Sequence, residues 1–380
     1  MEVIFGICAF ALFYTYLGYP LLVFIVARLF PKKVVTSLYE PKVTVLITAY
    51  NEEKDIREKI KNTLALDYPK NKLEVIVASD GSTDRTDQIV KDFEEAGVKL
   101  FRQEGRVGKT ETQNNAVERA SGEVVLFSDA TTMYRADVLR ALLPNFADST
   151  VGCVGGKLIY VDSSNSEVSS GAKSYWSYET LLKEKESHAC SLIGVSGCMY
   201  AVRKSAYMRM YPEACSDFLI CTVIYRQGMR SVYEPRAVCS EETNDRSDKE
   251  FQMRVRVISQ TFTDLWRNRD MMNPFRSGFY AIQLVSHKLL RYMAPYFLLV
   301  MFVASGILAV NSIFFQLLFL LQSAFYLVGV CGFMLHSWNR KFGILMLPFY
   351  FLLSNLAAWM GLINFLRGHR YARWEPAREA

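Results

Sequence analysis

The chain has 380 residues, of which 51% are hydrophobic, 13% aromatic and 22% charged. That apolar content excludes a disordered or solvating protein, and the length allows one large domain or two ordinary ones. The formal net charge of +6 is modest, and its basic clusters flank apolar runs, so the implied anionic partner is membrane lipid and no nucleic acid.

Residues 3–29, VIFGICAFALFYTYLGYPLLVFIVARL, contain no acidic residue and no basic one before Arg28. About 20 apolar residues cross a bilayer, so residues 1–33 read as a transmembrane anchor. The run is longer than the apolar core of a secretory signal, lacks a basic start and precedes no A-x-A pattern. Arg28, Lys32 and Lys33 follow it closely, and the positive-inside rule places the next segment in the cytoplasm. Residues 40–250 are then a cytosolic domain.

Within that domain, β-branched runs alternate with helix-like stretches. Val43 to Thr48 precedes NEEKDIREKIKNTLAL, where Ile56, Ile60 and Leu64 recur at a helical interval. Leu73 to Ala78 precedes SDGSTDRTDQIVKDFEEAG, in which Ser82 or Thr83 can cap a helix that Gly97 ends. Val98 to Phe101, the polar stretch GKTETQNNAVERASG and Val124 to Phe127 complete the pattern. Continuous apolar strands joined by helices predict an α/β fold with a mostly parallel sheet, covered on both faces. Ligands of such sheets sit beyond the carboxyl ends of the strands. Those ends read TAYNEE, SDGSTD and SDATTMY.

Residues 251–291 mix Arg, Lys and His with aromatic and aliphatic side chains, the composition of amphipathic helices at a membrane interface. Three candidate spans follow at 292–310, 313–335 and 343–366, then a basic tail at 367–380. Three complete crossings put the tail opposite the cytosolic domain, against the positive-inside tendency; a re-entrant 343–366, broken near Pro348, returns it. The eight cysteines form no CxxC pair and no zinc-type cluster, and read as reduced thiols.

Four rim residues carry chemistry, each with a plain structural alternative. Asp80 can accept hydrogen bonds from a base or a ribose, or can mark an ordinary Asp-Gly turn. Lys109 can meet a diphosphate as a point charge, or be a solvated loop lysine; it lacks the spacing of a Walker loop. Asp129 can hold a divalent cation through oxygen, or be a turn residue. Asp217, ahead of the run FLICTVIY, can be a general base or a helix cap.

In chain order, TAYNEE (48–53), SDGSTDRT (79–86), GKTETQN (108–114), SDA (128–130), GVSGCMYAVRK (194–204), SDF (216–218), SHKLLR (286–291) and WEP (374–376) resemble the membrane-anchored family-2 glycosyltransferases. The resemblance covers nearly the whole chain and implies a GT-A, Rossmann-like catalytic domain with N- and C-terminal transmembrane helices. It implies that Thr48, Ala49, Tyr50, Asn51, Glu52, Asp80 and Gly81 hold the uridine of a UDP-sugar, with Lys109 near the phosphates. Asp129, with Ala130 beside it, matches the start of the family's DxD element and implies a Mg2+ or Mn2+ cofactor at the diphosphate. Asp217 matches the carboxylate that deprotonates the acceptor hydroxyl in an inverting transfer.

The chain departs from the family pattern twice. Thr131 stands where DxD has its second carboxylate, and no QxxRW string occurs. The nearest stretch, Gln252 to Val257, offers Arg254 and Arg256 to the diphosphate. The function implied is transfer from a UDP-sugar to a glycan or lipid-linked acceptor in surface polysaccharide biosynthesis, at a bacterial inner membrane, with room for polysaccharide-export partners. Transfer of one sugar to a polyprenyl phosphate, and a non-catalytic sugar-nucleotide-binding scaffold, are the alternatives.

Overall fold

A computed structural model describes residues 1–161, 168–242, 247–337 and 346–373; the WEP element at 374–376 lies outside them. The chain divides into two compact units: Val26–Ser163, Thr180–Asp245 and Arg370–Ala380 form one, and Met1–Ile25, Ser164–Glu179 and Arg246–His369 the other.

The first unit is an α/β domain around one eight-stranded sheet. Its strands are β1 (Val43–Ala49), β2 (Leu73–Ser79), β3 (Val98–Arg102), β4 (Val124–Asp129), β5 (Met133–Tyr134), β6 (Val151–Val161), β7 (Met199–Arg203) and β8 (Arg230–Glu242). Their order is β3-β2-β1-β4-β7-β6-β8-β5. Strand alternation divides the core: Val43, Val45 and Ile47 join Ile56, Ile60 and Leu142 on one face, while Leu46, Ile76 and Phe127 join Val117, Leu219 and Ile220 on the other. Every residue of β1 is buried, which is why it reads as an unbroken apolar run.

The strands β3, β2, β1 and β4 run parallel. β7 is antiparallel to both β4 and β6, and β8 is parallel to β6, so the sheet is mixed. Register levels the carboxyl ends: Ala49 lies opposite Ser79, and Thr48 opposite Asp129. The chain winds outward from β1 through β2 to β3, then returns to place β4 on the other side of β1. That reversal opens the crevice in which ligands of open α/β sheets bind.

In the second unit, four helices among the described residues are long and apolar enough to cross a membrane: Glu2–Leu29, Phe279–Leu308, Ile313–Gly332 and Pro348–Leu366. The chain is an integral membrane protein. The second of these helices begins before residue 292, where the sequence placed it. A π-helical stretch, Leu284–Leu290, carries the chain unbroken into Arg291–Leu308, so SHKLLR is part of the spanning helix. Met346–Leu366 is also one continuous helix that includes Pro348, so the described residues show no break there.

The helix Ser247–Arg267 packs on Met346–Leu366 through Val255, Ile258 and Phe262 against Ala357 and Ala358. Arg254 Nη1 donates to Ser354 Oγ at 3.4 Å. Glu179 takes an ion pair from Arg291, with His287 Nε2 3.5 Å from its other oxygen. Burial pushes the Glu179 carboxyl up, but His287 and Arg291 outweigh it and hold the group well below the usual carboxylate range.

Candidate active site

The loops after β1 and β2 form one structure. Asn51 is the sole non-glycine residue with positive φ (54°) among the described residues, a conformation that Asn tolerates because its side chain can bond locally. That turn aims three consecutive amides at the second loop. Asn51 N donates to Ser82 Oγ (3.2 Å), Glu52 N to Thr86 Oγ1 (2.8 Å) and Glu53 N to Asp84 Oδ2 (3.0 Å). In return Thr83 N donates to Asn51 Oδ1 at 2.8 Å.

Asp80 is fully buried at the end of β2. Its Oδ1 accepts from Val107 N (2.8 Å) and Thr112 Oγ1 (3.0 Å), and Gly108 N reaches Oδ2 at 3.0 Å. The carboxylate therefore pins the 105–108 loop and the first turn of the Lys109–Arg119 helix to the sheet. Gly81 has φ 71°, and a Cβ there would lie 2.6 Å from the Gly105 carbonyl oxygen, so only glycine lets the two loops meet. Arg106 lies over the Tyr50 ring, 3.8 Å from its centroid. At Gly108 a Cβ would come within 2.0 Å of the Ala372 carbonyl oxygen, so residues 371–373 of the basic tail rest on this loop.

The crevice holds a charge cluster. Lys109 Nζ donates to Asp129 Oδ1 in a short ion pair. Burial alone pushes the Lys109 ammonium down, but Asp129 beside it and Asp217 farther off hold it above its ordinary value. Thr131 Oγ1 donates to Glu241 Oε1 at 2.8 Å. Lys59 is fully buried, donates to the Thr132 carbonyl oxygen (2.5 Å) and lies 3.5 Å from the Tyr134 ring centroid. Burial lowers its pKa to about 7, against the opposing pull of Asp129 and Glu241 among its neighbours. Cys198 and Cys239 stand 3.9 Å apart at their sulfurs, and their mutual hydrogen bond together with burial raises the Cys198 pKa, keeping it a neutral thiol.

Asp217 lies in the first turn of the Ser216–Arg226 helix, where its charge also suits the helix dipole. Cys215 Sγ donates to Asp217 Oδ1 at 3.0 Å, and Val195 N donates to the Asp217 carbonyl at 3.0 Å. The 194–198 loop closes on the carboxylate: a Cβ on Gly197 would stand 3.0 Å from Asp217 Oδ2.

Of the residues singled out in the sequence, Lys109, Asp129 and Asp217 share one electrostatic neighbourhood. Thr48 lies opposite Asp129 and accepts from Gln113 Nε2 at 3.4 Å. Ala49 and Ala130 are buried in the core, and Tyr50, Asn51 and Glu52 form the interlocked loop. Arg254 and Arg256 belong to the other unit. Sequence reading missed Glu241, whose place depends on pairing Met133 with Ser240 across more than 100 residues. It also missed Lys59, although that residue shares the buried helical stripe of Ile56, Ile60 and Thr63, a signal visible in the spacing. Among the described residues no group of three or more His, Cys, Asp or Glu side chains forms a metal-binding cluster.

Residues 44–210 match the model for "Glycosyl transferase family 2". The chain is 27% identical over 234 residues, 60% of its length, to the poly-beta-1,6-N-acetyl-D-glucosamine synthase of Staphylococcus aureus (strain COL), and that match spans about half (52%) of the relative. It is 37% identical over 123 residues, 31% of this chain and 29% of the relative, to the probable glycosyltransferase YdaM of Bacillus subtilis (strain 168). Its fold is similar to a mannosyltransferase from Pyrobaculum calidifontis, solved with GDP-Man and Mn2+, with TM-score 0.73, 23% identity and coverage of 96% and 99% of the two chains. The mixed sheet with its level rim thus has a GT-A fold, and the part of the chain that carries it is similar to family 2 glycosyl transferases, a polysaccharide synthase among them.

Proposed function

We propose that the protein transfers a sugar from a UDP-sugar to a glycan or lipid-linked acceptor, with inversion, in surface polysaccharide biosynthesis at a bacterial inner membrane. The observation that supports this reading is the ion pair of Lys109 with Asp129 at the carboxyl end of β4, with Asp217 acting electrostatically on the same ammonium. A sugar hydroxyl is too weak an acid to attack unaided at neutral pH, so a base within reach is required. Asp217 takes that proton while the hydroxyl oxygen attacks the anomeric carbon from the face opposite the diphosphate. The bond to the diphosphate breaks with its electron pair, and the configuration inverts. Lys109 stabilises the charge that the leaving UDP gains.

The interlocked loops at Tyr50–Glu53 and Ser79–Thr86 frame the uridine, and Asp80 acts by fixing the 105–108 loop beside them. Arg254 and Arg256 serve the diphosphate or the membrane interface. A divalent cation fits the donor set: the Lys109 ammonium on Asp129 is a stand-in cation, the Thr131 hydroxyl is a hard-oxygen donor, and the nearby thiol of Cys198 stays protonated. Such an ion, bound at Asp129, supplies positive charge to the leaving diphosphate.

The test is UDP release and labelled-product size from lipid-reconstituted protein offered a panel of UDP-sugars and GDP-mannose with Mg2+ or Mn2+, with Asp217→Asn beside it. Turnover with a UDP-sugar that Asp217→Asn abolishes is the expected result. A polymeric product supports a synthase, whereas one sugar on a polyprenyl phosphate replaces the acceptor part of the proposal. Binding without turnover across glycan and lipid acceptors overturns the reading in favour of a scaffold.

A further inference from the structure

Thr131 cannot ligate as the carboxylate it replaces would, yet its hydroxyl does not point to solvent. It donates to Glu241 Oε1 at 2.8 Å. Backbone pairing fixes this meeting. β5 begins two residues after Thr131, and its Met133 and Tyr134 lie opposite Ser240 and Cys239 of β8, which brings the next β8 residue, Glu241, alongside the 129–132 loop. On its other side Glu241 is in register with Tyr160 of β6. A carboxylate on a strand, here paired with β6 at Glu241 itself and with β5 at the residue before it, is held more rigidly than one on a loop.

Asp129 and Glu241 also act on common neighbours. Both lend negative potential to the buried Lys59 ammonium, and both bear on Cys198. Lys59 in turn donates to the Thr132 carbonyl, fixing the backbone between the two acids. In the same loop, Thr132 Oγ1 is buried and has no hydrogen-bond partner among the described residues. Two carboxylates, with a buried hydroxyl left unpartnered in the same loop, offer hard oxygens of the kind that Mg2+ and Mn2+ prefer.

We infer that Glu241 supplies the second carboxylate of the cation-diphosphate site, presented to it by the Thr131 hydroxyl. This rests on the divalent-cation reading above and extends it to a residue 110 positions from the motif it completes. Thr131 is then an orienting residue, and the pair Thr131–Glu241 performs from a turn and a strand what one acidic side chain at position 131 would perform alone. Glutamate suits the role because its longer side chain reaches from β8 toward the end of β4.

The test measures Mn2+ binding to the detergent-solubilised full chain, with UDP present, by loss of the free Mn2+ electron paramagnetic resonance signal. Glu241→Gln should weaken binding at least about tenfold, and Thr131→Val, which removes the orienting hydroxyl, by about 10-fold as for other outer-shell partners. The double variant Thr131→Asp/Glu241→Gln, which returns the second carboxylate to position 131, should bind within about threefold of the wild type. Thermal melting checks each fold; if Glu241→Gln melts early, Thr131→Val and the double variant decide. Wild-type affinity in Glu241→Gln overturns the inference while sparing the cation reading, and so does a double variant that folds but is not rescued. A wild-type chain that binds no Mn2+ with UDP overturns both.

Discussion

Gly197 offers a sensitive probe of Asp217, because it touches the proposed base without carrying any chemistry. A Cβ at position 197 would sit 3.0 Å from Asp217 Oδ2, whereas ordinary contact begins at 3.4 Å. In Gly197→Ala the carboxylate must therefore retreat by about 0.4 Å. A misplacement of 1 Å can cost about 100-fold in rate; on a logarithmic scale, about 0.4 Å costs roughly sixfold. Folding should not suffer, since Gly197 is not among the positive-φ glycines, and alanine at a compatible backbone stabilises by about 0.4–1 kcal/mol through the unfolded chain. The assay is steady-state UDP release, with Gly194→Ala as control: a Cβ there meets the Phe218 ring at an ordinary 3.5 Å. We expect kcat to fall about sixfold in Gly197→Ala, with donor KM within about twofold and melting temperature unchanged or raised. Equal kcat in the two variants, or a loss confined to KM, would refute the placement of Asp217 as the base.

Two further predictions follow from the buried charges. Folding lowers the Lys59 pKa from 10.5 to about 7, so between those values the unfolded chain holds a proton that the folded chain has lost. The cost of burying the ammonium is fully present below about pH 7 and is relieved as pH rises, giving the wild type a stability gain of at most about 1.4 kcal/mol per pH unit that Lys59→Met lacks. Denaturant unfolding of both proteins from pH 7 to 10 measures it, and parallel profiles would count against the assignment. Asp80→Asn replaces an anion that accepts from Val107, Gly108 and Thr112, with an expected loss of about 2–3 kcal/mol. Hydrogen exchange at the Val107 and Gly108 amides should quicken, and donor KM should rise more than kcat falls; unchanged protection would show that the carboxylate does not pin the loop.

The sequence carried the rim well because β1, β2 and β4 are buried on both faces and therefore appear as unbroken apolar runs that end in polar residues. Local chemistry singled out Asp129 and Lys109, which the structure joins in an ion pair. What Asp80 binds was not legible, since its partners are backbone amides 27 and 28 positions away that any residue type could supply. Glu241 was hidden for a related reason: β8 ends in SEE, a polar stretch without strand alternation, and only its pairing with β5 brings it beside Thr131. SHKLLR has the composition of an interface, and its helical continuity with Arg291–Leu308 and the burial of His287 beside Glu179 and Arg291 depend on tertiary packing that composition does not carry.

The seat of Ala372 on Gly108 imposes a parity on the membrane topology. Residues 370–380 belong to the compact unit that carries the sheet, so the tail and the catalytic domain occupy the same compartment. An even number of complete traversals must separate them, yet three helices of spanning length intervene. One of the three is therefore expected not to traverse. Met346–Leu366 is the helix whose companion argues for this: Gly361 packs within a Cβ's reach of Ile258, and the helix carrying Ile258 also presents Arg254, Arg256 and Asp264, which are costly in lipid. A helix lying along that polar companion would keep residues 367–373 on the same side as the sheet, in line with the positive-inside rule and without a broken helix. A reporter fused after Ala380 should then read the same compartment as one inserted in the catalytic domain.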